Sequence, residues 1–235
     1  MSNFAVADLH GCYSQWRQIQ TFCKDSDRIY VLGDCIDRNE DSLKTLKSVL
    51  NDPRVTLLCG NHEDMMRQSL IEERDWEFEQ DDTALYRWRS NGGSVTFDQW
   101  QNEGRNFDWI SVLQHLPLWA KYTNSEGKNI VMTHSGVTPK IGYDVSSLER
   151  KPLLWDRRHI DETRWHRDEN EIVIHGHTPI VLMPQLKNWP QDEIEPGAFW
   201  YCDMHKCNID NGGCWTDYIC LLDLDTWEEH IFGKI

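Results

Sequence analysis

The chain has 235 residues, of which 39% are hydrophobic and 27% charged, and this balance excludes a disordered or fibrous protein. Asp and Glu outnumber Lys and Arg by 39 to 24, so the net charge of -15 argues against nucleic acid as a partner. The sequence contains no apolar run of the roughly 18 residues that a membrane-spanning helix requires, and its first residues lack a basic leader. We therefore expect a cytoplasmic protein that does not bind membranes and folds as a single domain over residues 1–235.

The first part of the chain alternates between apolar strands and amphipathic helices, which is typical of an α/β layered sheet. The predicted strands and the helices between them cover residues 3–7, 13–23, 28–32, 41–50 and 55–59. A polar motif follows each strand: DLHG from residue 8, GDCIDR from residue 33 and GNHE from residue 60. Because ligand sites in α/β sheets lie beyond the carboxyl ends of the strands, we expect the motifs to meet in one crevice.

A helical segment is predicted over residues 64–116, where Trp, Glu and Arg recur at the spacing of amphipathic helices. Asn91, Gly92 and Gly93 interrupt this pattern and indicate a break between helices. The acidic stretch at 72–82 is interpreted as a solvated helix face. We expect the segment to form a helical cap.

Strands return in the second half of the chain. They are predicted at residues 118–123, 129–133, 171–174 and 218–223, and the first two form a hairpin. The second of them leads into His134 and the third into His177. Strand ends in both halves of the chain therefore deliver Asp, Asn or His.

This mixture of side chains predicts a site for two metal ions. Asp, Asn and His together favour a first-row transition metal. Two ions close together need a ligand that touches both, and we predict that Asp34 is this bridge. Asp8 and His10 alternate on one strand end and would reach the first ion. The second ion would be held by residues from other strand ends: Asn61, His134 and His177.

The eight cysteines are scattered and do not form a disulfide framework, so we interpret them as reduced thiols. Cys202 and Cys207 flank His205, and this trio would suit a soft metal ion, but four ligands at a closed spacing are absent. Ordinary packing is the favoured interpretation of the trio. The stretch at 198–207 is interpreted as extra sequence ahead of a strand at residue 209.

The motifs DLHGCY, GDCIDR, GNHE, THSG and HGHTP, in this order, resemble those of the calcineurin-like metallophosphoesterases. They are most similar to the bacterial and phage lambda-type serine/threonine phosphoprotein phosphatase group. Segments at 91–93, 154–157 and 209–213 extend the resemblance over nearly the whole chain. The resemblance implies an α/β/β/α sandwich, in which helices flank two mixed sheets, with the helical cap at about 64–116.

The resemblance also implies metal ligands, and they agree with those predicted from the residues. Asp8 and His10 match ligands of the first metal and Asp34 matches the bridge. Asn61, His134 and His177 match ligands of the second metal. The cofactor implied is a pair of divalent ions, Mn²⁺ first, with Fe, Zn, Ni or Co as alternatives. HGHTP lacks the second histidine of the Gly-His-x-His version, which implies a water in its place and favours the phosphatase branch.

Catalytic roles follow from the same resemblance. Arg38 and Arg157 match residues that bind the phosphate oxygens, with Arg158 as the alternative for the second. Asn61 matches a residue that contacts both the metal and the substrate. His62 matches a general acid that Asp37 orients, and the nucleophile implied is a metal-bridging hydroxide.

We therefore expect a metal-dependent phosphatase that hydrolyses phosphomonoesters, with a phosphoserine or phosphothreonine protein or a small phosphoester as substrate. A symmetrical dinucleoside tetraphosphate hydrolase is the alternative, because THSG resembles the His-Ala-Gly of that group. A binding protein that has lost turnover is a third hypothesis. The presence of His62, Asp37 and Arg38 argues against it, since a silent scaffold needs no acid or phosphate-binding arginine. The oligomeric state is not predicted.

Overall fold

The structure is a computed structural model that describes residues 1–74, 84–103, 105, 107–138, 145–165, 168–190 and 193–235. Its strands, in chain order, are β1 (Asn3–Val6), β2 (Arg28–Val31), β3 (Val55–Leu57), β4 (Trp119–Thr123), β5 (Asn129–Thr133), β6 (Glu171–His175), β7 (Phe199–Tyr201), β8 (Lys206–Asn208), β9 (Tyr218–Asp223) and β10 (Glu229–Gly233). They form two five-stranded mixed sheets that stack face to face with helices outside. The predicted α/β/β/α sandwich is confirmed.

The α-helices that the structure describes are α1 (Tyr13–Phe22), α2 (Ser42–Leu50), α3 (Asn61–Arg74), α4 (Ala84–Trp88), α5 (Ser94–Asn102), α6 (Trp109–Gln114), α7 (Arg150–Trp155) and α8 (Gly213–Thr216). A π-helical turn at Arg89–Gly93 joins α4 to α5, where the sequence predicted a break. A 3₁₀ turn at Arg158–Asp161 follows α7. None of the described helices is both long and apolar enough to cross a bilayer.

The first sheet has the strand order β10-β9-β1-β2-β3. Strands β1, β2 and β3 are parallel, so their carboxyl ends lie at the same edge. Strand β9 runs antiparallel to β1, and β10, which the sequence did not predict, pairs with β9. Within β1, Phe4 and Val6 face the helices, whereas Ala5 faces the second sheet.

The second sheet has the order β4-β5-β6-β8-β7, and β5, β6 and β8 are parallel. The stretch at 198–207, interpreted from the sequence as extra residues, contains β7 and the start of β8, which pair as an antiparallel hairpin. Cys207 packs between the two sheets, Cys202 lies in a separate cluster, and His205 stacks on Trp165 with ring centroids 4.9 Å apart. These three residues therefore do not form a metal site, and all eight cysteines are free thiols, as predicted.

The apolar layer between the sheets receives side chains from both of them. Its buried members are Ala5, Ala7, Leu32, Leu58, Ile130, Met132, Ile172, Ile174, Cys207, Ile209, Leu222 and Leu224. Each fully buried Leu or Ile contributes about 1.5–3 kcal/mol to the free energy of unfolding. This layer holds the two sheets in one register and so brings their carboxyl edges together.

Helices α3 to α6 supply the helical structure that was predicted for residues 64–116. Trp88, Trp100 and Trp109 from these helices share one buried cluster with Trp16 of α1 and Leu46 of α2. The segment therefore continues the helical layer over the first sheet. Most of the acidic stretch at 72–82 lies outside the described residues.

Candidate functional site

The carboxyl edges of the two sheets meet, and the predicted polar motifs meet with them. The backbone N–H of His177, after β6, donates to Asp8 Oδ2 across the sheets at 2.9 Å. Within the first sheet, the N–H of His62 donates to Asp34 Oδ1 at 3.0 Å. The convergence predicted for these loops is therefore observed.

Asp34 lies at the centre of two groups of candidate metal ligands. One group combines Asp34 with His10 and His62, and the other combines it with His134 and His177. Asp34 Oδ2 is 3.6 Å from His10 Nε2, 3.5 Å from His134 Nε2 and 3.8 Å from His62 Nε2. These separations are too long for hydrogen bonds but suit two ligands that each lie about 2.1 Å from one ion.

Asn61 joins the second group at the first position of α3. Its Oδ1 atom lies 2.8 Å from His134 Nε2 and 2.9 Å from His177 Nδ1. The four residues predicted to surround the second ion, Asp34 included, are thus brought together. Asp8 contacts His177 but lies outside the two groups found among the described residues.

Hydrogen bonds to backbone carbonyls fix the ring nitrogens of two histidines. The Nδ1–H of His10 donates to the carbonyl of Ile36, and that of His134 donates to the carbonyl of Leu32, both at 2.8 Å. Burial lowers the pKa of both rings, which keeps them neutral. Each Nε2 atom is therefore a bare acceptor that points into the site, as in a metal-binding histidine.

The unprotonated nitrogen atoms of the site histidines lie beside other atoms that can only accept hydrogen bonds. His134 Nε2 is 2.8 Å from the amide oxygen of Asn61, and His177 Nε2 is buried with no hydrogen-bond partner among the described residues. Burial, together with the nearby charges of Asp210 and Asp34, raises the pKa of Asp8. A cation would relieve the repulsion among these carboxylates and acceptors, so the residues fit divalent transition-metal ions.

His62 is held in an orientation suited to proton transfer. Its Nδ1–H donates to Asp37 Oδ2 at 2.6 Å, and both side chains are buried. Burial lowers the pKa of His62, but the charges of Asp34 and Asp37 outweigh this effect and raise it. His62 Nε2 faces the site, 3.4 Å from Arg38 Nη2.

The helical segment supplies partners that the sequence analysis missed. The indole N–H of Trp88 donates to Asp37 Oδ2 at 2.9 Å, and the hydroxyl of Thr96 donates to Asp37 Oδ1 at 2.5 Å. A Cβ atom on Gly93 would lie 2.3 Å from the Trp88 ring, so the glycine at this position makes room for the indole. The break at 91–93 was the only signal in the sequence for this contact.

The two predicted phosphate-binding arginines both contact residues of the site. The Arg38 guanidinium stacks on Trp215, 4.8 Å from the ring centroid. Arg157 donates from Nε to Thr178 Oγ1 at 3.1 Å and from Nη2 to the carbonyl of His177 at 3.4 Å. The neighbouring Arg158 side chain is 84% exposed and pairs with a carboxylate at 2.8 Å, so Arg157 is the arginine that faces the site.

Two further acidic residues belong to the site but had no predicted role. Glu63 accepts from the backbone N–H groups of Asp34, Cys35 and Gly60 at 2.7, 2.8 and 3.0 Å, which ties the turn after β2 to the turn after β3. Asp210, beyond β8, is buried, and its burial raises its pKa to about 7. Both lay inside sequence motifs, but only the fold shows what they contact.

Several site residues have a left-handed backbone: Asp8, His10, Asp34, Asp37, Arg38 and His177 all have φ between 40° and 74°. This conformation costs about 1 kcal/mol or more for a residue with a side chain. Such conformations accumulate at functional sites, where the surrounding fold compensates for them.

Known proteins share this combination of fold and motifs. The family model of the calcineurin-like phosphoesterases matches residues 3–181. The chain therefore belongs to the calcineurin-like phosphoesterase family. It is similar to serine/threonine-protein phosphatase 2 of Salmonella typhimurium, with 36% identity over 66% of this chain and 67% of the relative.

The chain is also similar to the symmetrical bis(5'-nucleosyl)-tetraphosphatase of Buchnera aphidicola, with 26% identity over 65% of this chain. The chain matches only about half (50%) of that relative's length. A metallophosphoesterase structure from Sphaerobacter thermophilus superimposes with a TM-score of 0.54 at 12% identity, covering 99% of this chain and 88% of the other. The predicted family and fold of this calcineurin-like phosphoesterase are therefore confirmed.

Proposed function

We propose that the protein is a phosphomonoesterase that removes phosphate from phosphoserine and phosphothreonine in proteins, using two divalent ions, with Mn²⁺ the first choice. Asp34 would bridge the ions. Asp8 and His10 would bind one ion, and Asn61, His134 and His177 the other. We further propose that the protein acts in the cytoplasm as one domain over residues 1–235.

The observation that carries this proposal is the position of His62 Nε2, which lies 3.8 Å from Asp34 Oδ2 and 3.4 Å from Arg38 Nη2. A proton donor thus lies beside both the candidate bridging ligand and a phosphate-binding side chain. An alkoxide leaves a phosphate ester poorly unless it is protonated, and His62 is oriented to supply that proton.

When bound, the ions would lower the pKa of a coordinated water and so supply a nucleophile at neutral pH. The side chains do the rest. Arg38 and Arg157 bind phosphate oxygens through the planar guanidinium fork, which stabilises negative charge that grows toward the transition state. Asp37 holds the His62 ring so that Nε2 carries its proton toward the leaving oxygen.

A phosphoprotein substrate is supported by the Salmonella phosphatase, which shares 36% identity and two thirds of its length (67%) with this chain. A second candidate function is the hydrolysis of dinucleoside polyphosphates. The observation that favours it is Trp215, which is 60% exposed beside Arg38 and offers a surface on which a nucleobase would stack.

Product analysis separates the two candidates. The Mn²⁺-loaded protein should release phosphate from a phosphoserine peptide faster than it forms ADP from diadenosine tetraphosphate. The quantity to compare is kcat/KM for the two substrates, measured in the same buffer. ADP formation that is much faster than phosphate release would overturn the proposal in favour of the second candidate. A His62→Asn variant, prepared in parallel, controls for contaminating phosphatases.

A further inference from the structure

The outer face of the second sheet carries a buried polar cluster that the proposed chemistry does not use. Lys206, His159 and His175 are each 0% exposed, and Tyr201 is 7% exposed. Burying an ammonium group is costly unless it is paired and hydrogen-bonded. The contacts of Lys206 therefore indicate what the cluster does.

The contacts of Lys206 determine which ring nitrogen of His159 carries the proton. The Lys206 ammonium lies 3.3 Å from His159 Nδ1, 3.2 Å from the His159 carbonyl and 3.4 Å from Glu162 Oε2. An ammonium group only donates, so His159 Nδ1 accepts and the ring proton lies on Nε2. That Nε2–H donates to the backbone carbonyl of Ser135.

Tyr201 and His175 extend the cluster to the loop after β6, which carries His177. Tyr201 lies 2.7 Å from His175 Nε2, and His175 Nδ1 lies 3.0 Å from the carbonyl of Gly176. The carbonyl can only accept, so Nδ1 carries the ring proton and the Tyr201 hydroxyl donates to Nε2. The two halves meet by packing, because the His159 and His175 rings lie edge to face with centroids 5.1 Å apart.

The cluster connects three loops of the proposed active site. His159 follows Arg157 by two residues, Ser135 directly follows His134, and Gly176 directly precedes His177. The His159 ring is also fixed sterically, because a Cβ atom on Gly136 would lie 2.4 Å from it. The ring thus separates the Arg157 turn from the loop after β5 by a set distance.

We propose that the buried Lys206–His159 pair is a positioning device that holds Arg157 in place relative to His134 and His177. This inference rests on the proposed function, which assigns Arg157 to phosphate and the two histidines to a metal ion. By donating to Nδ1, Lys206 fixes the His159 ring in the tautomer whose Nε2–H donates to the carbonyl of Ser135. Without the pair, Arg157 and the histidine loops would move independently.

The test uses His159→Ala and Lys206→Met, with three measurements on the full chain. We expect both variants to weaken competitive inhibition by inorganic phosphate and to raise KM for phenyl phosphate by about 10- to 100-fold, as for other residues that orient a metal site. Calorimetric titration with Mn²⁺ alone should show the same loss of affinity for one ion. The effect on kcat should be smaller than the effect on KM.

Two further variants separate positioning from a loss of stability. His159→Gln retains an N–H group near the Nε2 position and should recover most of the phosphate affinity. Asp52→Asn is the matched control, because it breaks a buried ion pair with Arg54, 2.7 Å long, remote from the site. It should lower the melting temperature without changing KM or the phosphate inhibition constant.

The inference would be overturned if His159→Ala and Lys206→Met fold normally and keep wild-type behaviour. That outcome means that the phosphate inhibition constant and the Mn²⁺ affinity both stay within twofold of wild type. A lowered melting temperature without those changes would do the same, since it assigns the pair to stability alone. A wild-type protein that binds Mn²⁺ and phosphate but hydrolyses no ester would contradict the proposed function. The two binding measurements would still test the pair in that case.

Discussion

His62 is the residue on which the proposed chemistry depends most directly. Its ring is fixed on one side by Asp37, which in turn accepts hydrogen bonds from Trp88 and Thr96. The raised pKa of His62 keeps the imidazolium available as a proton donor. A ring held in this way loses little entropy when the leaving group requires a proton.

Replacement of His62 by Asn should lower activity most for substrates whose leaving group is strongly basic and must be protonated as it departs. For a phosphoserine peptide we expect kcat to fall by about 10²- to 10⁴-fold, the usual contribution of a general acid. For p-nitrophenyl phosphate, whose phenolate leaves unaided, the loss should be much smaller. Steady-state kinetics on both substrates provides the measurement, and equal losses on the two would remove His62 from the role of acid.

Candidate ligands could be predicted from the sequence because each lies directly after an apolar strand, within one short motif. Trp88 and Thr96 could not, since they lie 51 and 59 residues from Asp37 in the chain. Their contacts depend on how α4 and α5 pack over the first sheet. A tryptophan in an amphipathic helix predicts burial, and nothing in its spacing identifies a carboxylate as its partner.

At the scale of elements, the loop after β6 approaches β1 so closely that only glycine fits at position 176. A Cβ atom there would lie 2.0 Å from Asp8 Oδ2 and 2.7 Å from the Ala7 Cβ. The loop would have to move away from β1, taking His177 with it. Close packing between the two sheets therefore sets the geometry of the site.

Gly176→Ala should accordingly weaken Mn²⁺ binding by about 10- to 100-fold, because it displaces both Asp8 and His177. Gly127→Ala is the control, since a Cβ atom there meets no atom of the described residues within 4 Å, although its φ of +79° makes the substitution strained. The control should cost about 1 kcal/mol of unfolding free energy and leave Mn²⁺ affinity unchanged. Calorimetric titration that finds wild-type affinity in Gly176→Ala would contradict the proposed packing constraint.

The corner between α1, α2 and β3 makes a separate prediction about pH. Asp52 is hydrogen-bonded by Arg54 at 2.9 and 2.7 Å and by Gln20 at 2.9 Å, and the Arg54 bonds lower its pKa to about 2. A carboxyl with a lower pKa in the folded state stabilises the fold above its unfolded pKa, near 4, and loses this contribution as pH falls toward 2.

Urea unfolding of wild type and Asp52→Asn measures this contribution. The stability difference should be about 2 kcal/mol near pH 5 and should shrink as the pH approaches about 2.5. A difference that stays constant over this range would show that folding does not lower the pKa of Asp52.

Strands β7 and β8 show where element prediction from sequence ends. Lys206 and Asn208 give β8 a polar pattern, and the sequence therefore predicted a strand only from residue 209. The strand forms because its outer face is covered: Lys206 contacts His159, and Asn208 donates to the carbonyl of Thr178 at 2.7 Å. Partners distant in the chain, invisible to local periodicity, make these polar residues compatible with a buried strand.

For the whole molecule, the site exists only when both sheets are folded and packed together. The first sheet supplies Asp8, His10 and Asp34, and the second supplies His134 and His177. Ligands that converge only in the folded state make metal binding part of the free energy of folding. The motif order predicted this shared site, whereas the distances between its ligands required the packed sheets.

The most direct test of the account is the number and coupling of Mn²⁺ ions bound by the full chain. The account predicts two ions per chain with the exchange-coupled electron paramagnetic resonance spectrum of a bridged pair, lost in Asp34→Asn. A single uncoupled ion, or two ions whose spectrum is unchanged in Asp34→Asn, would contradict the claim that Asp34 joins two metal ions.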